Sequence, residues 1–319
     1  EIGSGLVGSE MCIRDRNYIE KCIKSLLSQK LSKNLFSILL INDGSIDSTL
    51  SILKKYEEDY PDLIQVIDKE NEGLGVTRNR GLDELDTDYV AFIDADDWVD
   101  KNYLEILYDV ITKKSLDIVS SGCRRPDETG KIVWNTKLKN TMGSFVTCAS
   151  MWGKLYSVQF LKKYNIRNRI DAHGEDIVFN FECLNYSPKI EVLDYIGYNW
   201  YINQCSLTRT KREDQKVIEG CEIFLTALFD CSNGINKYYL IMYSMTTLLT
   251  ADINQKNYKE LNRKANLIQE KKVSKKDYLK AIFNFDNGIS FKLKVGTAGY
   301  SFLQLINLTG LLGYAKRKK

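Results

Sequence analysis

Three short apolar runs, "FSILLIN" at 36–42, "LIQVID" at 63–68 and "YVAFID" at 89–94, follow one another at nearly even spacing with polar, helix-forming stretches between them. Each is too short for a helix and almost continuously apolar, the pattern of a strand buried on both faces of a parallel sheet. Ile19, Cys22, Ile23, Leu26 and Leu27 fall at helical spacing and predict an amphipathic helix over 18–30. "DGSIDST" supplies a turn and a helix cap, and Leu50, Leu53 and Tyr56 continue along one helix face. A short helix is expected at 75–85, and another at 101–113 leads to the strand-like "DIVSSG" at 117–122. Strand and helix alternating in this way imply an α/β fold, a mostly parallel sheet flanked by helices. Ligands of such sheets gather outside the carboxyl ends of the strands. Asp43, Asn71 and Asp94 lie at or just past three such ends, which puts three polar clusters on one rim.

Composition narrows the functional classes. The balance of 45 Lys and Arg against 42 Asp and Glu leaves a net charge of +3, too little to argue for a nucleic-acid partner. Eight cysteines without a CxxC pair read as reduced thiols in a cytoplasmic protein. The single histidine, His173, leaves multi-histidine zinc sites and Ser-His-Asp chemistry resting on one residue. Residues 1–16, "EIGSGLVGSEMCIRDR", have no clear strand or helix period and lack the features of a signal peptide. The stretch "GLVGSEMCIRD" resembles a translated sequencing adapter, so 1–16 are expected to be an artefact outside the fold. Past about residue 205 the period becomes helical, which divides the chain into a nucleotide-binding domain at 17–215 and a helical C-terminal region at 216–319.

The chemistry concentrates in a few motifs. "FIDADDWVD" ends a buried strand with Asp94, Asp96 and Asp97. Two carboxylates about 4 Å apart repel by about 4 kcal/mol at an effective dielectric of 20. Mn2+ or Mg2+ would offset that repulsion, since such an ion typically takes one or two carboxylates plus substrate phosphates; a solvated acidic turn is the plainer alternative. "INDGSIDST" places Asn42 and Asp43 at a strand end, where a carboxylate can accept from a nucleotide base or close an Asx turn. Gly73 and Gly75 open a helix whose N–H groups can meet a phosphate, with Arg78 or Arg80 as added donors. Arg78 stands where a dinucleotide fingerprint needs its third glycine, which argues against an oxidoreductase. Trp98 stands where a phosphatase would need Ser or Thr. In "HGEDIVFNFECL", Glu175 and Asp176 start a helix, either as acids favoured by its dipole or as a rigidly held general base.

Taken in order, "NDGSIDST", "NEGLGVTRNRG", "FIDADDWVD", "MWGKLY", "GEDIVFNFE" and "SLTRT" closely resemble the family 2 glycosyltransferases of bacterial polysaccharide synthesis, across about residues 17–210. The resemblance implies a GT-A fold and a set of roles. Asp43, beside Asn42, would bind the base, Asp94 would lie near the ribose, and Asp96, assisted by Asp97, would hold the metal. Arg78 would lie near the phosphates, and Arg209 in a loop closing over them. Asp176 would be the general base with Glu175 beside it, and Trp152, Gly153 and Lys154 would line the acceptor side. The implied reaction is metal-dependent, inverting transfer from a UDP-sugar to a hydroxyl of a glycan or lipid-linked acceptor, at the inner face of the plasma membrane. An inactive sugar-nucleotide-binding or scaffold protein is the alternative, against which stands the full set of expected carboxylates. Family members begin with an apolar strand that is absent here, replaced by the adapter-like residues, so the first strand is expected to be missing. At the other end, "GYSFLQLINLTGLLGYAKRKK" is too short in its apolar part to span a bilayer. With Lys316, Arg317, Lys318 and Lys319 it reads either as an interfacial segment on an anionic membrane or as ordinary terminal packing.

Overall fold

The computed structural model describes residues 2–8, 16–127, 129–169, 174–186, 188–201, 213–231, 236–284, 286, 288–306 and 309. Its strands are β1 (Ile2–Gly8), β2 (Phe36–Asp43), β3 (Ile64–Lys69), β4 (Tyr89–Asp94), β5 (Trp98–Val99), β6 (Ile118–Pro126), β7 (Ile132–Asn135), β8 (Lys154–Ser157) and β9 (Ile190–Asn199). Its helices are α1 (Arg16–Leu27), α2 (Thr49–Asp59), α3 (Leu74–Asp83), α4 (Tyr103–Lys114), α5 (Met142–Thr147), α6 (Val158–Lys163), α7 (Glu175–Leu184), α8 (Asp214–Asp230), α9 (Lys237–Thr250), α10 (Gln255–Glu270), α11 (Lys275–Ile282) and α12 (Phe291–Leu305). The chain divides into two compact units, one of Glu1–Asn140, Ser150–Ile170 and Pro188–Thr210, the other of Thr141–Ala149, Asp171–Ser187 and Lys211–Lys319.

The first unit is built on a sheet in the order β3-β2-β1-β4-β8-β6-β9-β5, with β7 paired to β6. Strands β1 to β4 are parallel, and β8 runs antiparallel to both β4 and β6. The three runs predicted as buried strands are β2, β3 and β4. Ile38 and Leu40 of β2 share a buried cluster with Ile19, Cys22, Ile23 and Leu26 of α1, Leu53 of α2, and Leu104 and Leu107 of α4. Ile41 faces the opposite side, where an added Cβ on Gly81 of α3 would lie 3.4 Å from its Cδ1. Alternate residues of one strand therefore lie under helices on both faces, and each buried Leu or Ile contributes about 1.5–3 kcal/mol.

Two expectations are corrected here. Residues 1–16 were expected outside the fold with the first strand missing, but Ile2–Gly8 is a strand at the centre of the sheet, pairing Val7 with both Ile41 and Asp94. The physical reason is that main-chain bonds to β2 and β4 hold the strand, while Gly3, Ser4, Gly5 and Gly8 break the continuous apolar run that marks such a strand in a sequence. The second correction concerns 171–187, expected within the nucleotide-binding domain and found in the helical unit. There, helix α7 buries Val178, Phe179, Phe181 and Leu184. Phe181 meets the Tyr243 ring edge-on at 5.3 Å, and the Cys231 thiol points to the Val178 carbonyl at 3.8 Å. Helical spacing in a sequence marks a buried face without saying which neighbours cover it.

Candidate functional site

Strand β4 ends at Asp94 and the chain turns at once, with the Asp97 N–H donating to the Asp94 carbonyl at 3.0 Å. Asp97 is only 1% exposed. One carboxylate oxygen accepts from the Tyr198 hydroxyl at 2.7 Å and the other from the Tyr201 N–H at 2.7 Å. The Tyr198 hydroxyl also accepts from the Asp94 N–H at 3.1 Å, so one buried phenol ties both ends of the turn to β9. Burial pushes the Asp97 carboxyl well above its ordinary value, with the charges of Asp96 and Asp94 adding to the effect and the two hydrogen bonds opposing it. Asp97, expected on the metal beside Asp96, instead turns both oxygens inward as the anchor of the turn. Asp94 and Asp96 remain half-buried at the rim, and the Arg78 guanidinium, itself 3% exposed, donates to Asp94 Oδ1 at 3.1 Å.

The neighbouring rim cluster ends β2. Asp43 is 1% exposed, and its carboxylate accepts from the Lys69 ammonium, from the Glu72 N–H at 3.0 Å and from the Gly73 N–H at 3.0 Å. Burial alone would raise this carboxyl; the Lys69 and Glu72 hydrogen bonds outweigh it and hold the group below its ordinary value. The carboxylate thus knots the end of β2 to the end of β3 and to the loop entering α3. Asn42 donates to Asp68 at 2.7 Å, while its buried Oδ1 has no hydrogen-bond partner. Gly44, at φ +72°, cannot be replaced cheaply, since a Cβ there would lie 2.7 Å from the Asn71 nitrogen.

Trp152 bridges to Phe92 of β4, and its ring stacks on Tyr198 at 4.6 Å and on Trp200 at 6.2 Å. Trp134 meets Trp200 edge-on at 6.4 Å, which extends the row to the surface. Lys154, expected on the acceptor side, is 1% exposed and donates from its ammonium to the Ser150 carbonyl at 2.6 Å. Lys154, Leu155 and Tyr156 of β8 are all buried, which explains the difference.

The second unit carries Glu175 and Asp176 in the first turn of α7. Gly174 caps that helix at φ +82°, and an added Cβ there would lie 2.9 Å from the Phe224 ring. Asp176 Oδ1 accepts from the Ile177 N–H at 2.8 Å, and its carbonyl accepts from the buried Asn180 amide at 2.9 Å. Tyr243 is driven far above the ordinary phenol value by burial first and the Asp176 charge second. Among the described residues, no group of three or more His, Cys, Asp or Glu is arranged to hold a metal. Asp94 and Asp96 still fit a hard divalent ion that draws its other ligands from phosphates and water. Arg209 and His173 lie outside the described residues.

Residues 11–177, just over half of the chain, match the family described as Glycosyl transferase family 2. The chain belongs to glycosyl transferase family 2. Glycosyltransferase GlyA of Streptococcus pneumoniae is 28% identical to it over 294 residues, 83% of this chain and 41% of that one. The cholesterol galactosyltransferase of Borreliella burgdorferi is 27% identical over 252 residues, 70% of this chain and 69% of that one. The chain spans 41% of the length of GlyA and 60% of that of the Escherichia coli glycosyltransferase YibD. Among solved structures, S. aureus TarS 1–349 in complex with UDP-GlcNAc matches with a TM-score of 0.61 at 17% identity, covering 100% of this chain and 92% of that one. Mannosyltransferase PcManGT from Pyrobaculum calidifontis, in complex with GDP-Man and Mn2+, matches at 0.57 and 12% identity, covering 97% and 86%. At these identities the likeness shows the fold, which is GT-A.

In this family 2 chain Asp43 and Asp94 end parallel strands β2 and β4, while the residues that hold them were missed. Tyr198, Tyr201 and Lys69 fasten the acids, and Trp200 extends the row begun by Trp152. The one available signal was "GYNWY" at 197–201, an aromatic cluster at a strand end. Asp43, Arg78, Asp94 and Asp96 belong to the first unit, and Glu175 and Asp176 to the second.

Proposed function

We propose that the chain transfers a sugar, with inversion, from a UDP-sugar to a hydroxyl of a glycan or lipid-linked acceptor in cell-surface polysaccharide synthesis. The observation that carries this reading is the turn after β4, where Asp97 is spent on Tyr198 and Tyr201 so that Asp94 and Asp96 stay at the rim. Asp94 is assigned to the ribose. Asp96, with Asp94 beside it, would hold Mn2+ or Mg2+, and the ion would supply Lewis-acid charge compensation for the leaving diphosphate. Arg78, fixed by Asp94 and α3, would stand near the phosphates. Asp43 is assigned to the base, with its loop bonds keeping that carboxylate charged and in place, and the unpartnered Asn42 Oδ1 is a second buried acceptor beside it.

The chemistry assigned to Asp176 is proton removal. As the acceptor oxygen bonds to the anomeric carbon and the bond to the diphosphate oxygen breaks, the hydroxyl proton passes to the Asp176 carboxylate; Glu175 stands beside it on the helix. General-base help of this kind contributes about 10²–10⁴ in rate. Trp152 is assigned to the acceptor side and Arg209 to closure over the diphosphate. The bound UDP-GlcNAc of TarS and the Mn2+ of PcManGT support the donor and metal choices. The cholesterol galactosyltransferase relative supports a lipid acceptor.

Calorimetric titration of UDP-sugars with and without Mn2+, followed by the anomeric configuration of the product, tests the reading. Mn2+-dependent donor binding and an inverted product are expected. Metal-independent binding, or a retained configuration, would refute it.

A further inference from the structure

Helix α12 is turned inside out. Its buried residues Thr297, Tyr300 and Ser301 carry hydroxyls, whereas Phe291 is 80% exposed, Val295 and Phe302 54% each, and Ile306 at its C-cap 44%. At about 100° per residue these four apolar side chains fall within a stripe about 60° wide on the outer face. A surface helix of a soluble domain ordinarily has the reverse arrangement. The inward hydroxyls are satisfied: Ser301 donates to the Thr297 carbonyl at 2.7 Å, and Thr297 to the Leu293 carbonyl at 2.8 Å. The Tyr300 hydroxyl takes part in hydrogen bonds from Gln269 at 2.7 Å and Gln304 at 2.8 Å. The bond from Gln269 and that from the Gln304 amide to Asn266 Oδ1 at 2.8 Å join α12 to α10, and rotating the helix to hide its apolar stripe would break both. Beside the stripe, Val295 and Phe302 line an apolar groove of about 380 Å³ with Met245 and Leu249 of α9.

Charge identifies the occupant. From residue 287 to 319 the sequence has no Asp or Glu and six cations, Lys292 and Lys294 on the helix and Lys316, Arg317, Lys318 and Lys319 outside the described residues, in a chain whose net charge is only +3. Lys292 is exposed at the edge of the stripe. A second copy docking on this face would bring like charges together. An anionic bilayer instead offers apolar depth for the stripe and negative headgroups for the lysines.

We propose that α12 is a membrane-docking helix that inserts Phe291, Val295, Phe302 and Ile306 into the interface of an anionic bilayer, with Lys292 at the headgroups. The face involves none of the residues assigned to donor or proton chemistry, so it stands or falls apart from the glycosyl-transfer reading. Flotation of the full chain with vesicles of phosphatidylcholine, alone or mixed with phosphatidylglycerol, tests it. Binding is expected only to the anionic vesicles, weakening as salt rises because the headgroup attraction is screened. Phe291→Ser with Phe302→Ser should reduce the bound fraction about ten-fold or more. Because both side chains are more than half exposed, that variant should still unfold cooperatively within a few degrees of the parent, which separates lost docking from lost folding. Lys292→Glu should weaken binding less. Absence of binding to anionic vesicles, equal binding by the serine variant, or a vesicle-free dimer that the serine variant abolishes would each overturn the proposal.

Discussion

The turn after β4 and the first turn of α7 both present adjacent acids, and the chain holds them by different means. At the turn, Asp97 is fixed by Tyr198 and Tyr201, about a hundred positions further along the chain. At the helix, Asp176 accepts from its neighbour Ile177, its carbonyl accepts from Asn180 one turn on, Gly174 caps the turn in the left-handed region, and the Asp176 charge reaches Tyr243 of α9. A site anchored through distant partners depends on the sheet being assembled. The helix acid depends in addition on the backbone conformation at its cap. Each is therefore vulnerable to a different substitution.

The largest expected effect falls on the turn. Tyr198→Phe removes the hydroxyl that joins the Asp94 N–H to the Asp97 carboxylate and leaves a buried acid short of a partner, which should cost about 3 kcal/mol. Chemical denaturation would measure that loss. Donor titration should show weaker binding at the same time, because Asp96 rides on the same turn. A variant as stable as the parent would mean that the turn is held by other means. Next comes the helix. Gly174→Ala forces a side chain onto φ +82° and against Phe224, a cost of about 1–2 kcal/mol. It should lower the melting temperature while donor affinity stays constant, and a loss of donor affinity would blur the contrast between the two acid pairs.

The smallest effect concerns the knot at Asp43. Its carboxyl titrates below the ordinary value in the folded chain. The stabilisation it contributes is therefore complete above the unfolded carboxylate value of about 3.9 and is lost as pH falls through the lower folded value. Lys69→Met should cost about 1 kcal/mol at neutral pH. That penalty should vanish in acid, where Asp43 is protonated in parent and variant alike. Urea melts at neutral and acidic pH would measure it, and a penalty independent of pH would contradict the assignment.

These contrasts also explain what could be read in the sequence. Strands β2, β3 and β4 were legible because burial on both faces writes a continuous apolar run into the chain. The rim acids were legible because a strand's end fixes where the next residue lies. The inward roles of Asp97 and Lys154 were not, since they depend on Tyr198, Tyr201 and Ser150, brought close only by folding. Strand β1 was hidden because Gly3, Ser4, Gly5 and Gly8 interrupt the apolar run that marks its neighbours. Helix α7 was visible as a helix, but its membership of the helical unit depends on Phe224, Cys231 and Tyr243, well beyond the segment itself.

The central claim is that the turn acids serve the donor and the helix acid serves the proton. Donor affinity and turnover measured side by side for Asp96→Ala and Asp176→Asn test it most directly. The account predicts that Asp96→Ala loses Mn2+-dependent donor binding, while Asp176→Asn binds donor like the parent and turns over about 10²–10⁴ more slowly. Parental turnover in Asp176→Asn, or parental donor affinity in Asp96→Ala, would contradict it.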